Sequence, residues 1–165
     1  MRIVGLTAAV AILCGIATAL APAQDVVKRA DGTLLRGEIL ADAGGTIRMV
    51  TTAGEVCVIP AGEVARVKRG KPLDPVVAER LGAIDAGRPR ELYALARWAM
   101  GEKKFARDGR RLMLRVLAIN PGHARARLAL GHVDARGTWY PSARAAYLAE
   151  GEAMKEEESK EMGEG

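Results

Sequence analysis

The chain has 165 residues, with 25 lysines and arginines against 20 aspartates and glutamates, and only two histidines and two cysteines. Its charge is uneven: residues 150–165 have a net charge of −5, whereas residues 24–149 have a net charge of +9. The only serines are Ser142 and Ser159, both near the end of the chain, so the composition excludes a serine-histidine-aspartate triad.

The first 23 residues have the pattern of a cleavable secretory signal peptide. Arg2 supplies a positive start, residues 3–20 form an uncharged apolar run, and residues 21–23 read Ala-Pro-Ala, a small-residue cleavage site. Two alternatives stay open, namely an uncleaved membrane anchor and a lipoprotein signal at Cys14. The pattern predicts an exported bacterial protein with a periplasmic, envelope-associated or extracellular destination.

Residues 24–69 are typical of a small all-β unit. Runs rich in Val, Ile, Leu and Thr alternate with turn signals such as Asp31-Gly32 and Ala53-Gly54, in which glycine tolerates a positive φ. Five strands are predicted, at residues 26–27, 33–40, 46–52, 55–59 and 63–67. Cys57 has no second cysteine beyond residue 23, so no disulfide is expected within the mature chain.

The turn chemistry of this unit resembles that of the SH3-like and Sm-like barrels. The resemblance rests on four segments: residues 31–33 (Asp-Gly-Thr), 36–39 (Arg-Gly-Glu-Ile), 47–52, and 63–64 (Glu-Val). It implies a small closed barrel in which Gly37 lets the second strand bend and serve both halves. Residues 24–92 contain no Phe, Trp or Tyr, so the aromatic groove that binds proline-rich peptides is not expected.

Helices are predicted for residues 76–149, after a proline-containing linker at residues 70–75. Asp74 is expected to cap a first helix that begins at Pro75 and ends at Gly87. Three further helices are predicted at residues 89–100, 105–119 and 123–133. A last helix is expected over residues 142–150.

This region resembles a tetratricopeptide-repeat unit, in which two antiparallel helices occupy about 34 residues. Tyr93 and Leu95-Ala96 match the first helix, Gly109 matches the small residue of the second, and residues 117–121 (Leu-Ala-Ile-Asn-Pro) match the ending. The resemblance implies one full unit and part of another. The predicted fold class is therefore α+β in two parts, a small N-terminal β-barrel followed by a tetratricopeptide-like antiparallel α-hairpin array.

Two features follow the predicted repeat. Trp139 and Tyr140 are expected to cover the open end of the helices. Residues 150–165 are predicted to be a disordered acidic tail, because they lack the large apolar residues needed to bury themselves.

Catalytic and metal-binding groups are sparse. His123 and His132 are nine residues apart, which places them on opposite faces of a continuous helix, so they cannot share a metal ion. Asp31 with Glu38 or Asp42 offers paired carboxylates, but nothing in the sequence distinguishes these from surface groups. The sequence therefore predicts no enzyme, no metal and no cofactor.

The leading functional hypothesis is a non-catalytic, exported protein–protein interaction or scaffold module that uses a tetratricopeptide-like groove. Its candidate partner-binding residues, chosen by helix facing, are Tyr93, Arg97, Lys104, Arg127 and Arg136. The alternative is electrostatic binding of an anionic polymer or membrane surface by the basic body. Nucleic acid is not an expected partner of an exported protein, and the oligomeric state stays open.

Overall fold

The structure, a computed structural model, describes residues 24–84 and 88–163, with side chains as far as Lys155. The predicted signal peptide, residues 1–23, lies outside the described residues. The strands are β1 Asp25–Arg29, β2 Leu34–Ala43, β3 Thr46–Thr51, β4 Val56–Pro60, β5 Val64–Lys68, β6 Val133–Ala135 and β7 Thr138–Tyr140. The helices are α1 Pro75–Gly82, α2 Pro89–Gly101, α3 Ala106–Ile119, α4 Ala124–Leu130 and α5 Ala143–Gly163.

The first five strands form one antiparallel sheet in the order β4-β3-β2-β1-β5. All five predicted strands are confirmed, with small differences at their ends. The predicted closed barrel is wrong, because β4 and β5 lie at opposite edges and no ladder of the described chain joins them. The open sheet is stable because apolar side chains pack into a cluster on one of its faces and the helices cover part of the other face.

The two faces of the sheet bury different chemistry. One face carries an apolar cluster in which every member is at most 6% exposed: Val27, Ile39, Ile47, Met49 and Ile59. Glu38 and Val50 are paired across β2 and β3, alternate to the opposite face, and are fully buried. Contacts of α3 with β2 and β3 place the helices over this second face.

Gly37 marks a close approach of β2 to β3. A Cβ atom at this position would lie 1.9 Å from the backbone oxygen of Val50, so only glycine fits. The irregular pairing of β2 with β3 falls later, between Ile39 and Ala41. Gly37 is therefore required for the close contact between β2 and β3, whereas the resemblance to the small barrels implied that it bends the second strand.

The helices share a second apolar core. Asp74 caps α1 as predicted, with its Oδ1 accepting a hydrogen bond of 3.1 Å from the Val76 N–H. The core joins α1, α2, α3 and α4 through Val77, Leu92, Leu95, Ala96, Leu112, Met113, Val116, Leu117 and Ala126. At Gly109 of α3, a Cβ atom would lie 2.5 Å from the Met100 backbone nitrogen of α2. The predicted role of Gly109 in close packing is thus confirmed.

The predicted tetratricopeptide array is wrong. The fourth helix has only seven residues and ends at Gly131, whose φ of 86° is left-handed. The chain then enters a β6–β7 hairpin, whose turn places Arg136 and Gly137 at φ values of 54° and 84°. No second helix pair follows within the described residues, so the helices cannot build a repeat groove.

The last helix, α5, begins beside the β6–β7 hairpin and buries Ala146. It continues through residues 150–163, which differs from the disordered tail that composition predicted. Alanine, glutamate, lysine and methionine all favour helix, which accounts for the continuation.

None of the described helices is both long and apolar enough to cross a bilayer.

Replacing Gly109 by alanine is expected to lower the free energy of unfolding by about 1–3 kcal/mol, because the added methyl group forces α2 away from α3. Gly101→Ala is the matched control, since no heavy atom lies within 4 Å of a Cβ there. The control is expected to be neutral, or more stable by up to about 1 kcal/mol through helix propensity. Urea unfolding measures both. Equal effects would contradict the close approach of α2 and α3.

Candidate functional site

A buried ion cluster joins the sheet to the helices. Glu38 is 0% exposed, and its two carboxylate oxygens accept hydrogen bonds from Arg111 and Arg115 of α3. The Arg115 Nη2 atom lies 2.6 Å from Glu38 Oε1, and Arg111 also donates from Nη1 to the Lys71 carbonyl at 2.6 Å. The two arginines are one helical turn apart, so a single carboxylate fixes how α3 lies on the sheet.

The segment between β5 and α1 is fastened at both ends. Asp25 is buried and accepts hydrogen bonds from the backbone N–H groups of Ile39 and Gly70, at 2.8 and 2.6 Å. Asp108 of α3 accepts from the Asp74 N–H at 2.8 Å. The predicted linker is therefore held against both the sheet and the helices, which limits relative motion of the two parts.

A second junction lies at the turn between β3 and β4. Arg127 is only 8% exposed, and its guanidinium donates to the carbonyls of Pro121 and Ala53 at 2.7 and 3.1 Å. His132 Nε2 lies 2.9 Å from the Thr52 carbonyl, which can only accept, so Nε2 carries the hydrogen. His132 Nδ1, 3.4 Å from Arg127 Nη1, is then the acceptor, and the ring is neutral.

The surroundings of His132 oppose its protonation. Burial lowers the pKa of the imidazole, and the positive charge of Arg127 lowers it further, while the hydrogen bond to Thr52 partly offsets both. A protonated ring would also turn Nδ1 into a donor facing a guanidinium. The junction is therefore stable with neutral His132.

A groove lies where the sheet meets α1, α2 and α3. Its cavity has a volume of about 310 Å³. The walls are mostly aliphatic, with two guanidinium groups, and consist of Leu40, Arg48, Leu81, Ile84, Leu92, Arg115, Ala118 and Ile119. Ile119 is 48% exposed at the mouth, although it ends an otherwise well-buried helix. We refer to these eight residues as the sheet–helix groove.

The two arginines of the groove differ in availability. Arg115 is committed to Glu38, whereas Arg48 is exposed and makes no ion pair with the side chains described for residues 24–84 and 88–155. Among residues 24–84 and 88–155, whose side chains the structure describes, no aspartate or glutamate lines the groove. Aliphatic walls beside an unpaired guanidinium suit an apolar group that carries a carboxylate.

The five predicted partner-binding residues are not gathered at this groove. Tyr93 is half-buried against His123, and Arg97 is exposed on α2. Lys104 is exposed, with its Nζ 3.6 Å from Asp74 Oδ2. Arg127 is committed to the internal junction described above, and Arg136 lies in the β6–β7 turn. Sequence reasoning missed Arg48 and Arg115, although strand alternation exposes Arg48 and was a usable signal.

The three carboxylates considered for acid–base chemistry each have a different partner. Glu38 is buried in the ion cluster, and Asp42 lies 2.5 Å from Arg69. Asp31 accepts a hydrogen bond from the Thr33 N–H, which holds the pKa of its carboxyl below the ordinary value. Within the described part of the chain, no three histidine, cysteine or acidic side chains are grouped as metal ligands require.

Glu38→Ala is expected to lower the free energy of unfolding by about 3–5 kcal/mol, because it leaves a buried guanidinium without its partner. Glu55→Ala, which removes an exposed carboxylate from the turn between β3 and β4, is the control and is expected to change stability by at most about 0.5 kcal/mol. Chemical denaturation measures both variants. A similar small effect of the two substitutions would contradict a structural role for the cluster.

Acidification is expected to destabilise the protein through His132. Above pH ~6.5, the ordinary pKa of histidine, the His132 ring is neutral in both the folded and the unfolded protein, so the free energy of unfolding has its full value. Below that pH the unfolded chain binds a proton that the folded ring resists, so the free energy of unfolding falls, by at most about 1.4 kcal/mol per pH unit.

His132→Asn isolates this effect, because asparagine keeps a polar amide at the junction but does not titrate. The slope of stability between pH 6.5 and 5 is expected to be shallower in this variant. Identical slopes for parent and His132→Asn would exclude this residue as the cause.

Comparisons with known proteins returned no relatives. No protein-family model, no curated protein and no solved structure matches the chain. The resemblances to SH3-like barrels and tetratricopeptide repeats therefore gain no support from such matches. The sheet–helix groove and its surroundings are therefore the features that point to a function.

Proposed function

We propose that the protein is a non-catalytic, exported interaction module whose sheet–helix groove binds an apolar, carboxylate-bearing segment of a partner protein. The observation that carries the proposal is the unpaired guanidinium of Arg48 beside aliphatic walls in a cavity of about 310 Å³. Export is taken from the signal-peptide pattern of residues 1–23. In this proposal the partner binds in the sheet–helix groove, and not in the tetratricopeptide-like groove of the sequence-based hypothesis.

The size of the groove favours side chains over a large ligand. A volume of about 310 Å³ is at the lower end of the range for small-molecule sites. Burial of aliphatic side chains stabilises a complex by roughly 25 cal/mol for each Å² of apolar surface removed from water. One or two aliphatic side chains followed by a carboxylate satisfy both the walls and Arg48.

The charge of the body supports the choice of an acidic partner segment. Residues 24–149 have a net charge of +9, which attracts anionic segments over a distance set by ionic strength. Attraction of this kind alone would not select apolar side chains. The groove supplies that selection, so a complex formed there persists at salt concentrations that abolish general polyanion binding.

A fluorescent peptide ending in Leu-Leu with a free carboxylate is the direct probe, and the same peptide with a C-terminal amide tests the contribution of charge. Arg48→Glu and Ile119→Glu are each expected to weaken binding of the acid peptide at least tenfold, measured by fluorescence anisotropy at low and high salt. Ile119 is exposed, so its replacement changes the mouth of the groove and leaves the core intact.

Arg66→Glu is the matched control. Arg66 is exposed on β5, so this substitution changes the net charge by the same amount as Arg48→Glu at a position outside the groove. It is expected to retain the affinity of the parent protein. Equal weakening by Arg48→Glu and Arg66→Glu, with loss of binding at high salt, would favour electrostatic attraction of anions in general. Equal affinity for acid and amide peptides would exclude carboxylate recognition.

A further inference from the structure

A second concave surface lies between the start of α2 and the start of α4. It is largely open to solvent, has a volume of about 510 Å³ and is lined by Arg90, Tyr93, His123, Ala124 and Arg125. We refer to it as the Tyr93 depression. It shares no residue with the sheet–helix groove, so it is a separate candidate site.

Its polar side chains can all donate hydrogen bonds. Arg90 and Arg125 are exposed, and neither makes an ion pair with the described residues. His123 Nδ1 accepts the Ala126 N–H at 3.2 Å, so the hydrogen of the neutral ring is on Nε2, where it is available to a ligand. Among the described residues that line the depression there is no carboxylate to compete for these donors.

The two rings give the depression a defined floor. The ring centroids of Tyr93 and His123 are 4.7 Å apart at an interplanar angle of 37°, and both side chains are half-buried. Packing of each ring against the other restricts both before any ligand arrives. Donors on such a floor lose less conformational entropy on binding than donors on isolated surface side chains.

We propose that the Tyr93 depression binds a phosphate group, with Arg90 and Arg125 as the charged ligands and His123 and Tyr93 as neutral donors. Guanidinium groups match the oxygens of phosphate bidentately, and two of them balance its double negative charge. The group comes either as free inorganic phosphate or as a phosphate ester. This site is independent of the peptide-binding function proposed for the groove.

The test is a titration of the purified protein with inorganic phosphate and, separately, with phenyl phosphate, followed by ¹H–¹⁵N chemical shifts. Saturable shifts are expected at Tyr93, Ala124 and Arg125. Stronger binding of phenyl phosphate identifies an ester as the preferred source, because its ring can contact the aromatic floor, and stronger binding of inorganic phosphate identifies the free ion.

The double variant Arg90→Gln/Arg125→Gln is expected to weaken phosphate binding at least tenfold. Arg66→Gln/Arg144→Gln removes the same charge from exposed positions that do not line the depression, and is expected to retain binding. Thermal unfolding checks that both variants fold. Equal weakening in the two variants, or no saturable shift with either phosphate compound, would overturn the proposal.

Discussion

Burial of the Glu38 carboxylate is the constraint on which the rest of the structure depends. A carboxylate removed from water must be matched by positive charge, and Arg111 and Arg115 supply it from one face of α3. The same contact sets the position of α3 over β2 and β3. Because Arg115 also lines the groove, the ion cluster determines where the groove walls meet, and Arg111 extends the arrangement to the Lys71 carbonyl.

Local structure could be predicted from the sequence wherever its cause is local. Turn glycines such as Gly32 and Gly54 have φ values of 88° and 81°, and they separate strands that the apolar pattern had located. The cap at Asp74 and the small residue at Gly109 follow from chemistry within one or two turns of chain. Closure of the barrel and continuation of the repeat were wrong because both depend on pairing between distant segments, which a generic turn pattern does not specify.

The candidate site was less predictable for the same reason. Glu38 and Arg111 are 73 residues apart in the chain, and single-sequence periodicity carries no information about such a partner. Arg127 has the spacing of a surface residue on a helix, yet the turn at Ala53 folds over it and accepts its hydrogen bond. Tyr93 was predicted to contact a partner, which stays a prediction. Its neighbours Arg90, His123 and Arg125 come from the starts of two helices that tertiary packing brings together.

The open edge of the sheet at β4 has a consequence for the protein in concentrated solution. No strand of the described residues pairs with the outer side of β4, where Val56 and Val58 are 38% and 63% exposed. Unpaired backbone beside exposed β-branched side chains is a template for strand addition, and Cys57 lies between the two valines. Pro60 shortens the template because it lacks an N–H, and repulsion between positively charged bodies opposes contact. Colloidal stability of the protein is therefore expected to fall as ionic strength rises.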